Sequence, residues 1–161
     1  MYKSILIPLD GSKLSECSLQ HAQEIARGCH VPSVTLLTVI QEHKPFLPEG
    51  GGQTQVEVFF KEAEQMQANE KANANKYLAE ESRKFSKENI DVKFDIVQAS
   101  DSKGVADAIL EYAKNSNADL IIMSTHGRSG ISRWAIGSIA DKIVRSSVVP
   151  VLTIAPAGCR K

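Results

Sequence analysis

The sequence predicts an α/β domain in which a parallel sheet is covered by helices on both faces. Short apolar runs alternate with stretches of helical period along the chain of 161 residues. Leu120–Met123 is apolar without a break and Val34–Ile40 is apolar and β-branched, interrupted only by Thr35 and Thr38, as strands buried on both faces are. One run, Val92-Lys93-Phe94-Asp95-Ile96, alternates strictly, which predicts a strand wet on one face and therefore near a sheet edge.

The elements follow in order. Ser4–Leu9 is a short buried strand closed by Asp10-Gly11-Ser12. Lys13 to Arg27 is a helix with Leu14, Ala22, Ile25 and Ala26 on one face and Gly28 as its stop. Val34 to Ile40 is the second strand. Pro45-Phe46-Leu47-Pro48-Glu49-Gly50-Gly51-Gly52 forms the centre of a loop spanning about residues 42–55. Val56 to Glu88 has helical period, while poor helix formers from Asn69 to Asn75 leave a break open there. A continuous helix of that length would run about 50 Å, more than such a domain needs. The edge strand comes next, then a helix marked by Val105, Ile109, Tyr112 and Ala113. Leu120–Met123 is a buried strand, Ile139–Ser147 the last helix and Val148–Ile154 the last strand.

Bulk properties narrow the function. The length predicts one domain, residues 1–161. Lys plus Arg and Asp plus Glu both number 19, so no general attraction to nucleic acid or anionic membrane is expected. No apolar run approaches the ~20 residues of a membrane span. Cys17, Cys29 and Cys159 form no Cys-x-x-Cys pair, which together with the missing signal peptide predicts a soluble cytoplasmic protein. His21, His30 and His43 are scattered and form no metal-ligand set.

The chemistry concentrates between Met123 and Ile139. There a strand empties into a loop with Gly127 and Gly130, and Gly137 stands where a helix begins. Glycines let backbone N–H groups turn toward an anion, and a helix N-terminus adds a partial positive charge. Arg128, Arg133, Lys142 and Arg145 against Asp141 alone make the stretch from Ser124 to Ser147 basic. In parallel sheets ligands bind beyond the carboxyl ends of the strands, where the strand order reverses. Asp10 and Ser124 both lie at such ends, so they face one crevice if their strands are neighbours.

These residues resemble the universal stress protein family over nearly the whole chain. Ile7-Pro8-Leu9-Asp10-Gly11-Ser12 resembles its first strand and turn, and Leu36-Leu37-Thr38-Val39 its adenine-lining strand. Nucleotide-binding members carry Gly-x2-Gly-x9-Gly-[Ser/Thr]. Gly127 and Gly137-Ser138 fit its later part, but Ser124 stands in place of the first glycine. The resemblance implies a Rossmann-like fold with a five-stranded sheet in the order 3-2-1-4-5, ATP as ligand with Mg2+, and a homodimer through Val148–Ile154. It implies adenine beside Pro8 and Val39, and ribose on Asp10. The end of the fourth strand, Met123 and Ser124, lies alongside, with phosphates on amides of Gly127 through Gly130 and of Gly137, Ser138 and Ile139. The function this implies is a nucleotide-responsive stress or regulatory module without efficient catalysis. The alternatives are a stress protein acting through protein contacts alone and a slow ATPase or phosphotransferase.

Structural readings stand beside these. Asp10 could instead start the helix at Ser12, Pro8 and Val39 could be plain core, and Arg128 could lie in solvent. Ser138-Ile139-Ala140-Asp141 is a capping-box pattern in which Ser138 serves as N-cap. Ser124 adds a side chain where glycine would allow close approach, with altered binding as the expected result. His126 is expected to be a hydrogen-bonded structural histidine, since no catalytic triad spacing is visible.

Overall fold

A computed structural model describes residues 2–42, 53–85, 90–100, 102–126 and 136–155. The elements are β1 (Ser4–Pro8), α1 (Lys13–Gly28), β2 (Ser33–Gln41), α2 (Gln53–Phe85), β3 (Asp91–Ala99), α3 (Val105–Asn115), β4 (Leu120–Ser124), α4 (Ser138–Ser146) and β5 (Val151–Ile154). The five strands are parallel in the order β3-β2-β1-β4-β5, so the alternating strand is an edge, as its wet face predicts. The Pro45–Gly52 loop lies outside the described residues.

Side chains alternate across each strand, and the two faces receive different helices. On one face Ile5, Ile7, Leu36 and Ile122 meet Leu19 and Ala22 of α1 and Leu78 and Phe85 of α2. On the other, Leu6, Leu37, Ile121 and Met123 meet Ala106, Ile109 and Ala113 of α3 with Ala140 and Ile143 of α4. Each helix follows a parallel strand, so all four begin at the carboxyl edge of the sheet.

Three sequence expectations need correction. The first is the break left open at Asn69–Asn75: α2 is one helix of 33 residues. The asparagine side chains are exposed there, and two of the three bond within the helix. Asn69 Oδ1 accepts from Gln65 Nε2 at 3.3 Å, and Asn75 Nδ2 donates to the Lys71 carbonyl at 3.1 Å. Asparagine's poor propensity costs at most about 0.7 kcal/mol per residue relative to alanine, too little to open a helix anchored at its end. Second, β5 begins at Val151 rather than Val148. The Ser147 hydroxyl donates to the Val149 carbonyl at 2.7 Å and accepts from the Val149 N–H at 3.2 Å, holding that segment in a turn. The third correction concerns the start of α4 and is taken up with the site.

Helix α1 starts on Ser12, whose Oγ accepts from the Ser15 N–H at 3.1 Å. Ser12→Ala should lower stability by about 1 kcal/mol, read as a shifted urea midpoint at constant slope. An unchanged midpoint would show that this cap carries no weight.

At the sheet, α2 is held by Leu78 and Phe85, with the carboxylate of Glu81 buried between them in sequence. Glu81 Oε1 accepts from Lys84 Nζ at 2.5 Å, while its Oε2 and the Tyr77 hydroxyl are buried with no hydrogen-bond partner among the described residues. Burial pushes the Tyr77 phenol far above its usual range, and the nearby carboxylates of Glu16 and Glu81 push it the same way, so it stays neutral.

Candidate functional site

The strand order reverses between β1 and β4, which are hydrogen-bonded neighbours through Ile5↔Leu120 and Leu6↔Ile121. Asp10 and Ser124 therefore leave adjacent strands at the same edge, the place where parallel sheets take ligands.

The β1 tip is fastened to β2. Leu9 N–H donates to the Leu37 carbonyl at 2.8 Å, and Thr38 Oγ1 donates to the Leu9 carbonyl at 3.0 Å. The turn that follows bends at Gly11, whose φ of 79° strains any other residue. Asp10 Oδ1 accepts from the Ser12 N–H at 2.9 Å and from the Ser12 hydroxyl at 2.6 Å. The Asp10 N–H donates to Ser15 Oγ at 3.4 Å. Asp10 thus does shape the start of α1, the structural reading, while remaining half-buried just past the carboxyl end of β1.

Pro8 is buried in β1 opposite Leu37, and alternation puts it on the face covered by α3 and α4. Val39 packs on that same face, half-buried, and Met123 is buried there. Two further residues join them that the sequence reading missed. Val97 is the register partner of Val39 on β3, and Val105 opens α3; both are half-buried on this face. Val97 escaped because the strict alternation ends at Ile96, whereas pairing with β2 carries β3 on to Ala99. Together Val39, Val97 and Val105 form a partly open apolar floor near the carboxyl edge.

Ser124 is buried at the end of β4, and its hydroxyl donates to the His126 carbonyl. The side chain that replaces the first motif glycine is thereby turned onto its own loop. His126 Nδ1 lies 2.9 Å from Thr125 Oγ1, the bonded structural setting expected for this histidine. Thr125 N–H donates to the Ile154 carbonyl at 2.9 Å and ties the loop to β5.

Gly137 closes the loop from its far side. Its N–H donates to the Thr125 carbonyl at 2.8 Å, and a Cβ at this position would stand 3.1 Å from the same oxygen. The N-cap of α4 is therefore Gly137, not Ser138, which is the correction to the capping-box reading. The pattern from Ser138 to Asp141 suggests a cap one residue late because the Thr125 contact, invisible in the sequence, holds Gly137 extended. The first intrahelical bond runs from Asp141 N–H to the Gly137 carbonyl, so the amides of Ser138 and Ile139 precede it. Both residues are exposed. Gly127, Arg128 and Gly130 lie outside the described residues. Among the described residues, no group of three or more His, Cys, Asp or Glu could hold a metal ion. No described helix is long and apolar enough to cross a membrane.

Comparison with known proteins agrees with this architecture. The Universal stress protein family profile matches residues 1–155. Universal stress protein MJ0531 of Methanocaldococcus jannaschii is 32% identical over 157 residues, covering 96% of this chain and 82% of that protein. The solved structure of MJ0577 superposes with a TM-score of 0.78 at 24% identity, covering 96% of each chain. Two further neighbours were solved with adenine nucleotides. A universal stress protein in complex with cAMP has a TM-score of 0.56 at 21% identity, covering 97% of this chain and 98% of that one. The Archaeoglobus fulgidus protein in complex with dAMP has a TM-score of 0.54 at 22% identity, covering 95% and 98%.

Proposed function

The chain belongs to the universal stress protein family, and we propose that it is a nucleotide-responsive member that binds ATP in the crevice between β1 and β4. The observation that carries this is that two features lie at the carboxyl ends of neighbouring strands, where the strand order reverses. They are the half-buried Asp10 carboxylate at the β1 tip and the α4 N-terminus, held there by Gly137 on Thr125. Adenine nucleotides in the cAMP and dAMP complexes of fold neighbours support the choice of ligand.

In this reading the purine lies on Pro8, Val39 and Met123, with Val97 and Val105 extending the floor. The ribose hydroxyls donate to the Asp10 carboxylate. The phosphates take the Ser138 and Ile139 amides and the loop residues Gly127, Arg128 and Gly130. The Gly137 amide is already bonded, so Gly137 acts by permitting close approach. Ser124, its hydroxyl bonded to the His126 carbonyl, leaves the ligand space clear. Mg2+ would travel with the triphosphate and shield its charge, since the described residues offer no metal cluster of their own. The protein is a cytoplasmic regulatory module and not an efficient enzyme, and it pairs with a second copy through the edge strand β5 and the preceding Val148, which is 89% exposed.

Denaturing the purified protein should release adenine nucleotide, and calorimetric titration of the emptied protein with ATP and Mg2+ should saturate. Absence of released nucleotide, together with no heat at millimolar ATP, would sink the reading. That result would favour a second one, action through protein contacts alone, which the exposed apolar side chains of α2 support.

A further inference from the structure

Helix α2 outruns the sheet it packs on. Its 33 residues extend about 50 Å, whereas the nine-residue strands β2 and β3 beneath it extend about 30 Å. From Val56 onward the buried residues of the helix, Leu78, Glu81 and Phe85, lie in its last eight positions. Before Leu78 the stripe that faces the sheet continues through half-buried Val56, Phe59, Ala63, Glu70 and Ala74, at helical spacing. At roughly 100° per residue, Phe60 and Met66 flank this stripe on either side. They are 47% and 59% exposed, so large apolar groups border a core stripe that has left its core.

The charges say what would cover it. Along one flank of the stripe Glu57, Glu64 and Lys71 recur every seven residues. Among the described residues neither Glu64 nor Lys71 forms an ion pair. They stand about 10 Å apart along the axis, too far to neutralise each other within one chain. An antiparallel partner of the same sequence brings Glu64 of one helix against Lys71 of the other, twice, by two-fold symmetry. The first half of this segment is acidic, with Glu57, Glu62 and Glu64 against Lys61, and the second half is basic, with Lys71 and Lys76 against Glu70. Parallel alignment would instead set acid on acid. The small side chains of Ala63 and Ala74 let two such helices approach closely.

We propose that the projecting part of α2 pairs antiparallel with the same segment of a second copy, independently of nucleotide and through a surface separate from β5. Sedimentation equilibrium of the full chain across micromolar concentrations tests it, with circular dichroism confirming that variants stay folded. The double variant Phe60→Glu/Met66→Glu should sediment at half the wild-type mass. Glu64→Lys alone and Lys71→Glu alone should each weaken association, roughly threefold to tenfold. The swap Glu64→Lys/Lys71→Glu should restore it, which only antiparallel self-pairing predicts. Equal masses for the wild type and the Phe60→Glu/Met66→Glu variant would overturn the proposal. So would a swap no better than its single changes.

Discussion

Gly137→Val should abolish ATP binding and lower stability by about 1–3 kcal/mol. The backbone at Gly137 is extended, with φ −56° and ψ 148°, so valine meets no forbidden conformation there. The obstacle is space. A first carbon would already lie 3.1 Å from the Thr125 carbonyl, and valine adds two methyl groups beyond it. Relief requires Gly137 and Thr125 to part, which stretches their 2.8 Å hydrogen bond and moves the first turn of α4. The Ser138 and Ile139 amides move with it, away from where the phosphates are proposed to sit. Gly137→Ala is the graded control, with partial loss. Calorimetric titration with ATP decides the matter, and wild-type affinity in the valine variant would remove Gly137 from the site.

Phe85→Ala should cost about 3–5 kcal/mol, a large share of the roughly 5–15 kcal/mol that holds a domain of this kind. Phe85 is almost wholly buried among side chains of the α1–α2 face, and truncation leaves a cavity beside Leu78. Phe60→Ala, on the same helix, should change the stability of the single chain, measured at concentrations too low for association, by less than about 0.5 kcal/mol, since Phe60 stands exposed in the projecting part. Urea unfolding of both variants checks the contrast. Comparable losses would mean that the projecting part of α2 is as firmly packed as its base.

How far the sequence speaks depends on whether a feature is local. β1, β2 and β4 are legible because strands buried on both faces are predominantly apolar along their length, and β3 because an edge strand need not be. The meeting of Asp10 with the end of β4 is legible too, since parallel topology sends both strand ends to one edge. What escapes rests on contacts between distant residues. Gly137 is the cap of α4 because it reaches Thr125, and Val97 belongs to the floor because β3 is paired with β2 beyond Ile96. The turn at Ser147–Val149 likewise depends on one hydroxyl that hydropathy does not register. The open question at Asn69–Asn75 is settled by local bonds too weak to show in a propensity scale.

That all four helices start at one edge has an electrical result. Lys plus Arg balance Asp plus Glu, so the molecule carries no net charge. Yet each helix brings about half a positive charge to its beginning and half a negative one to its end. A neutral body is thereby given poles by chain direction alone. That pole favours an approaching phosphate, and salt added to the solution will mute the preference.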